Sequence, residues 1–223
     1  MKRLFGILNI LFIVGVAVGC FFYYRNGGLL LKGITSSFFA LLGIINLLYS
    51  FISKSRARFP LLIALGLLLS ATGDIVIGIN FIAGALIFAL GHIAYFAAYC
   101  FKSRFSVKDL VPSGVIFAVA SAFILLYDAL EFGGLIMQAV CIIYALIISL
   151  MCGKAIAMYM ALREKAAALA ALGSVLFLIS DLMLLIYCFG GGAEAVNTVC
   201  MLTYFPAQCL IALSSFASTA KNQ

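Results

Sequence analysis

Apolar residues follow one another along almost the whole chain, in runs of about 20 that are separated by short polar connections. A helix needs about 20 apolar residues to cross the hydrocarbon core of a bilayer, which is about 30 Å thick. The pattern therefore predicts an all-α membrane protein with about eight transmembrane helices, in one multi-pass domain over residues 1–223. The predicted helices cover about 4–22, 34–52, 60–79, 82–101, 110–128, 134–153, 168–189 and 195–217.

The composition supports this class, because 66% of the residues are hydrophobic and only 9% are charged. A soluble domain cannot cover its surface with so few charges. All seven cysteines lie in or beside apolar runs without a CxxC pair, so we interpret them as small apolar residues and not as disulfides or metal ligands. One histidine is too few for a zinc hydrolase site, and we expect neither a metal nor another cofactor.

The net charge of +7 is explained by where the basic residues lie along the chain. If the N-terminus is inside, twelve of the 14 Lys and Arg residues fall on the inner side, and only Arg25 and Lys32 fall outside. The positive-inside rule then predicts that both termini are cytoplasmic. The charge thus reflects topology, and we expect no nucleic-acid partner. The inner residues are Lys2, Arg3, Lys54, Arg56, Arg58, Lys102, Arg104, Lys108, Lys154, Arg163, Lys165 and Lys221.

The first apolar run has a basic start and a small-residue end before Cys20, which is also typical of a signal peptide. The run is longer than a usual signal core, and no mature soluble domain follows it. We therefore expect an uncleaved first transmembrane helix.

A short internal repeat relates the third and seventh predicted helices. Ala64-Leu65-Gly66 precedes Asp74 by the same interval as Ala171-Leu172-Gly173 precedes Asp181. Each segment follows a basic connection, and the two helices run in the same direction. The repeat suggests a 4+4 duplication with parallel halves, and a chance match stays open because Ala, Leu and Gly are common here.

Two acidic residues lie well inside apolar runs, Asp74 in LLLSATGDIVIGI and Asp181 in LFLISDLMLLI. A carboxylate at membrane depth costs several kcal/mol, so such a residue is a functional candidate, the alternative being a structural polar contact between helices. Two carboxyl groups that lie close together lose their protons at separate pKa values. One of them can therefore be protonated while the other is ionised. Such a pair supplies a general acid and a general base in one site.

Further polar residues are predicted in the same half of the membrane. His92 lies on one helical face with Tyr95, and Tyr204 and Gln208 form an i, i+4 pair in the last helix. Ser70 shares the small-residue face of Asp74, and Asn46 with Tyr49 forms a weaker polar pair on the second helix. We predict Asp74 and Asp181 as catalytic residues. The predicted positioning or substrate-binding residues are His92, Tyr95, Tyr204, Gln208, Ser70 and Asn46.

Four segments resemble the YhhN-type lysoplasmalogenase family over roughly residues 35–215. They are LGLLLSATGDIVIG, GALIFALGHIAYFAAYCF, ALGSVLFLISDLMLL and MLTYFPAQCLIAL. The recurring family elements read here Gly73-Asp74, His92 to Tyr95, Ser180-Asp181, and Thr203-Tyr204 with Ala207-Gln208. Each element is weak alone, and four in order are fairly specific.

The resemblance implies hydrolysis of the vinyl ether bond of lysoplasmalogens, which gives a fatty aldehyde and a glycerophospho-alcohol. Protonation of the β-carbon makes an oxocarbenium ion, water adds, and the hemiacetal collapses. One neutral aspartic acid would donate the proton and an ionised one would activate water and stabilise the cation, in an order that the sequence leaves open. The expected partners are a lysophospholipid substrate and the bilayer of a cell membrane, or of an organelle such as the endoplasmic reticulum in a eukaryote.

Three other classes stay open on the sequence alone. A small-molecule or proton-coupled transporter also uses buried acidic residues and internal repeats. An intramembrane aspartyl protease uses two aspartates, but Thr-Gly-Asp74 and Ile-Ser-Asp181 match its YD and GxGD elements poorly. A purely structural membrane protein would gain little from two buried carboxylates.

Overall fold

The computed structural model describes residues 1–221, and within them the fold is entirely helical. All eight long helices are long and apolar enough to cross a membrane, which confirms the predicted architecture of a multi-pass membrane protein. A one-turn 3-10 helix over Val107–Asp109 precedes the fifth of them. The helices are α1 (Lys2–Asn26), α2 (Leu29–Ile52), α3 (Arg58–Val76), α4 (Phe81–Lys102), α5 (Leu110–Leu126), α6 (Leu135–Leu162), α7 (Lys165–Phe189) and α8 (Glu194–Lys221).

Two predicted helix boundaries differ most from the structure, and each difference concerns a lysine. Helix α2 begins at Leu29 and not near residue 34, because Gly27 and Gly28 reverse the chain at positive φ values of 64° and 94°. Lys32 therefore belongs to the first turns of α2 and not to a connection. Helix α6 continues past residue 153 to Leu162, so Lys154 is a buried helical residue.

Buried Lys154 is compatible with a helix interior because its charge is paired. Its Nζ donates to Asp109 Oδ2 at 2.6 Å and to the carbonyl oxygen of Arg104 at 3.1 Å. Both partners belong to the segment between α4 and α5, so the lysine fastens that segment to α6. These two partners offset part of the cost of taking the charge out of water.

The same order of helix packing occurs in the two halves of the chain. Helices α1 to α4 pack in sequence, α1 on α2, α2 on α3 and α3 on α4, and α5 to α8 repeat this order. The halves join through α4 on α6 and, in the corresponding positions, α2 on α8. Helix α8 also approaches α1 and α3 closely, whereas α4, its counterpart, meets α7 through side chains such as His92 and Asp181. This recurrence matches the arrangement expected of a 4+4 duplication.

The core of the bundle is aromatic and closely packed. Phe39, Tyr95, Phe177 and Phe205 are fully or almost fully buried. Helices α3 and α4 approach closely there because Gly66 has no side chain, and a Cβ at that position would lie 2.3 Å from the Tyr95 ring. Outside the core, α1 and α5 present mostly exposed apolar side chains, as expected for surfaces that contact lipid.

Candidate functional site

Asp74 lies two residues before the end of α3, nearer to the helix end than the sequence suggested. It is nevertheless only 1% exposed, because residues of α2 and α8 cover it. Oδ2 accepts hydrogen bonds from Ser36 Oγ at 2.5 Å and Tyr204 OH at 2.7 Å. Oδ1 lies 3.1 Å from Lys32 Nζ. Both carboxylate oxygens thus have a donor, and the lysine balances the buried negative charge.

Lys32 is the functional candidate that sequence reasoning missed. We expected it in an outer connection, whereas only 13% of its side chain is exposed and its ammonium group reaches into the bundle. The available signal was the Gly27-Gly28 pair, which predicts a tight turn, and the i, i+4 spacing of Lys32 with Ser36. Both α2 residues then face Asp74 from the same side.

Asp181 lies eight residues before the end of α7 and is held by different groups. Its Oδ2 accepts a hydrogen bond from Tyr144 OH at 2.6 Å and lies 3.2 Å from His92 Nε2. The tyrosine hydroxyl and the imidazole are themselves 2.8 Å apart. Asp181 Oδ1 has no hydrogen-bond partner among residues 1–221, and 12% of the side chain is exposed. One oxygen is therefore fixed and the other is available to a ligand.

His92 and Tyr144 differ in how well the sequence predicted them. His92 was expected in the site, and the structure places it beside Asp181, with its Nδ1 buried and without a hydrogen-bond partner in the described chain. Tyr144 on α6 was not singled out, since a tyrosine in an apolar run most often packs in the core.

Three other predicted residues, Tyr95, Gln208 and Ser70, lie together in the buried core. Tyr95 OH donates to Gln208 Oε1 at 2.8 Å, whereas Gln208 Nε2 is buried and finds no hydrogen-bond partner within residues 1–221. Ser70 is buried beside the Tyr95 hydroxyl. Asn46 does not join this group.

Asn46 belongs to a separate polar cluster between α1, α2 and α8. Its amide exchanges hydrogen bonds with Asn9 at 2.8 and 3.0 Å and donates to the carbonyl oxygen of Ala212 at 3.0 Å. These contacts link three helices and use the polar groups of the Asn46 side chain. Asn46 is therefore not part of the candidate site.

An aromatic ring connects the two carboxylate clusters. The Phe177 ring centroid lies 4.6 Å from that of His92, the partner of Asp181. It lies 5.3 Å from that of Tyr204, the partner of Asp74. Phe177 is fully buried and precedes Asp181 by one helical turn. The clusters therefore belong to one continuous region of the core.

Asp181 and Tyr144 also line an apolar groove between α5 and α7, with α6 as its floor. The groove has a volume of about 340 Å³, and Asp181 and Tyr144 supply its polar groups. Helix α5 packs against α6 but not against α7, so the groove is open along its length. Its remaining lining residues are Val115, Ile116, Val119, Ala120, Phe123, Ile124, Cys141, Ala145, Ile148, Leu178, Leu182 and Leu185.

A smaller cavity of about 60 Å³ is also lined by Asp181 and Tyr144. It lies on the side of α3 and α4, where Ile77, Phe81 and Phe88 line it. Asp181 and Tyr144 thus lie between the open groove and the interior of the bundle. No group of three His, Cys, Asp or Glu side chains in residues 1–221 could hold a metal ion.

Comparison with known proteins identifies the family of this chain. The YhhN family model matches residues 35–215, which include both aspartates, His92, Tyr144 and Tyr204. Searches of curated proteins and of solved structures return no match. Because the matched region covers most of the sequence, the chain belongs to the YhhN family.

Proposed function

We propose that this protein is a membrane hydrolase that cleaves the vinyl ether bond of a lysoplasmalogen-type lipid, releasing a fatty aldehyde and a glycerophospho-alcohol. Membership of the YhhN family, which is associated with lysoplasmalogenase activity, supports this class of reaction. The observation that carries the proposal is the position of Asp181, a carboxyl group with one free oxygen at the wall of an open apolar groove. A single-chain lipid has one apolar chain to place in such a groove.

Asp181 is the proposed general acid. Hydrogen bonds fix its Oδ2, so Oδ1 can carry the proton and face a chain in the groove. The proposed role requires Asp181 to be protonated when the substrate binds. Transfer of this proton to the β-carbon of the vinyl ether converts the C=C–O unit to an oxocarbenium ion and leaves Asp181 ionised.

Asp74 is the proposed base and counter-charge. Its Oδ1 lies 3.1 Å from Lys32 Nζ, which supplies a counter-charge for a carboxylate. A fixed negative charge stabilises the developing oxocarbenium ion and accepts a proton from the water that adds to it. The hemiacetal then collapses as its hydroxyl proton passes to the leaving alcohol oxygen. Return of one proton from Asp74 to Asp181 completes the cycle, with one water consumed.

The remaining polar residues have positioning roles in this proposal. Tyr144 and His92 hold Asp181 Oδ2, and Tyr204 and Ser36 hold Asp74 Oδ2. The unpartnered Gln208 Nε2 is a buried donor that a water or a lipid oxygen would satisfy.

A proton-coupled carrier is the second candidate. The recurrence of helix packing in the two halves favours it, because many transporters consist of related halves with titratable groups between them. Uptake of a solute into proteoliposomes without any change in the lipid would support this alternative.

The test is aldehyde release from a lysoplasmalogen by the purified protein in detergent, with Asp74→Asn and Asp181→Asn beside the wild type. Loss of a general acid or base lowers a rate by about 10²–10⁴-fold, so we expect both variants to be nearly inactive. Asp128→Asn is the matched control, because Asp128 is exposed in the connection after α5. A folded wild type without aldehyde release, or full activity of either site variant, would contradict the proposal.

A further inference from the structure

A third cavity, with a polar lining, lies at the end of the bundle opposite to Asp74, where α2 ends and α3 begins. Its volume is about 890 Å³. We call it the basic recess, because four of its lining residues are basic and none is acidic. The lining residues are Ser53, Lys54, Ser55, Arg56, Ala57, Arg58, Phe59, Phe101, Lys102 and Ser218.

Most of the positive charge in the basic recess is not neutralised. Lys54, Arg56 and Arg58 have exposed side chains, and no carboxylate of residues 1–221 lies within 4.0 Å of them. Lys102 differs, since its Nζ contacts Glu164 at 2.8 Å and donates to Ser218 Oγ at 2.7 Å. Three cations around one cavity repel each other unless an anion lies between them.

Neutral groups of the recess also favour an anion. Ser53 Oγ is buried without a hydrogen-bond partner in the described chain. Helix α3 starts at Arg58, and no side chain caps its N-terminus, where Ala57, Arg58 and Phe59 line the recess. The positive-inside rule explains basic residues at this end, but it requires neither a cavity nor a buried hydroxyl without a partner.

Aromatic rings place the recess at the edge of the apolar region. The Arg58 guanidinium lies 5.8 Å from the Phe101 ring centroid, and Lys102 Nζ lies 5.4 Å from that of Phe59. Phe101, which lines the recess, exposes 60% of its surface. A ligand here would meet cations at one side and an apolar surface at the other, as the headgroup and first methylenes of a lipid do.

We propose that the basic recess binds the phosphate group of an anionic phospholipid from the adjacent leaflet. A phosphodiester offers several acceptor oxygens to Arg56, Arg58 and the α3 N-terminus, and its acyl chains lie along the exposed apolar faces of α2 and α4. The site is independent of the carboxylates and does not depend on the proposed hydrolase activity.

The test compares lipids on the intact protein in neutral detergent. Short-chain phosphatidylglycerol is titrated beside phosphatidylcholine of the same chain length and beside inorganic phosphate, with native mass spectrometry as the readout. We expect phosphatidylglycerol to bind at least about tenfold more tightly than phosphatidylcholine, a difference of about 1.4 kcal/mol, because phosphatidylcholine offers the same phosphate but adds a choline cation that the basic residues of the recess repel. Inorganic phosphate that binds as tightly as phosphatidylglycerol would overturn the assignment to a lipid.

Two variants with the same change of charge separate a site from a general positive surface. Arg56→Gln should weaken phosphatidylglycerol binding at least about tenfold. Arg104→Gln is the matched control, since Arg104 is exposed at the same end of the bundle but does not line the recess. Equal weakening by both variants, or none by Arg56→Gln, would overturn the proposal. Unfolding temperatures establish that both variants are folded, and aldehyde release, where present, is expected to be unchanged.

Discussion

The two halves of the molecule hold their carboxylates with corresponding helices but with different chemistry. Asp74 on α3 is contacted from α2 and α8, and Asp181 on α7 is contacted from α6 and α4, which are the corresponding elements four helices away. In the first half the partners include an ammonium group, whereas in the second half they are a hydroxyl and an imidazole. The packing repeats, and the side chains around each carboxylate do not.

This difference teaches how one scaffold can give two aspartates different surroundings. Asp74 has an ammonium group 3.1 Å away, whereas Asp181 borders an apolar groove. The proposed division into a base, Asp74, and an acid, Asp181, therefore depends on the neighbours more than on the depth of either residue.

Replacement of Lys32 by Met is expected to have the largest effect among the partner residues. Loss of one partner of a buried ion pair typically costs about 3 kcal/mol or more of unfolding free energy, because the other charge is left uncompensated. Asp74 would then lack its counter-charge, and we expect aldehyde release to fall by about 100-fold. Thermal unfolding in detergent and the aldehyde assay measure the two effects.

The double variant Lys32→Met/Asp74→Asn is the control for that result. Removal of both charges should restore much of the stability, since no unpaired charge remains, but it should not restore activity. A Lys32→Met protein as stable and active as the wild type would show that the ion pair does not control Asp74.

The tyrosines of the two clusters provide a direct comparison of the halves. Tyr144→Phe removes one of two partners of Asp181, whereas Tyr204→Phe leaves Asp74 with Ser36 and Lys32. Asp181 becomes charged as it gives up its proton, and a hydrogen bond to a charged group contributes about 1.5–3 kcal/mol. We therefore expect a loss of about 30-fold in kcat for Tyr144→Phe and clearly less for Tyr204→Phe. The opposite order would mean that Asp74 is the less well supported carboxylate.

The groove can be tested by a change of volume at one position of α5. Ala120 lines the groove, and Ala118 is exposed on the same helix outside it. Ala120→Phe should raise KM for a long-chain lysoplasmalogen by about tenfold, because the larger side chain displaces several methylenes of the substrate chain. Ala118→Phe should leave KM unchanged. Equal KM values for both variants would place the chain elsewhere.

The smallest expected effect concerns an ion-pair cluster at the ends of α4, α7 and α8. Glu164 contacts Lys102 at 2.8 Å and Lys221 at 2.5 Å. Burial raises the pKa of Glu164, but the two lysines outweigh it, so its pKa lies below the usual value of 4.5. The cluster therefore stabilises the fold above that value, and the stabilisation is lost as the pH falls through the lowered pKa.

Unfolding temperatures of wild type and Glu164→Gln between about pH 6 and pH 3 test this cluster. At the upper pH we expect the variant to unfold on the order of 1–3 °C lower, since partly exposed ion pairs contribute about 1 kcal/mol or less. The difference should vanish at the lower pH. A difference that persists there would mean that Glu164 acts through packing and not through its charge.

The eight helices, which the structure confirms, and the two candidate aspartates, whose catalytic role stays a prediction, follow from one physical constraint. Backbone groups in lipid must be satisfied within a helix, and a charge there is costly enough to be conspicuous. Lys32 was not predicted because we placed the start of α2 five residues too late. Its contact with Asp74 also depends on the length of the lysine side chain, which the sequence pattern does not show. Tyr144 escaped because only the packing of α6 on α4 and α7 distinguishes it from a core tyrosine.

Helix α5 packs on a single neighbouring long helix, α6, and so leaves the groove beside Asp181 open toward the surrounding lipid. Under the proposed function, substrate enters by diffusion in the plane of the membrane, without passing through water. The quantity that saturates such an enzyme is the mole fraction of substrate in the bilayer or micelle, and not its amount per volume of buffer. Addition of inert detergent at a constant total amount of lipid should therefore slow turnover by dilution within the surface.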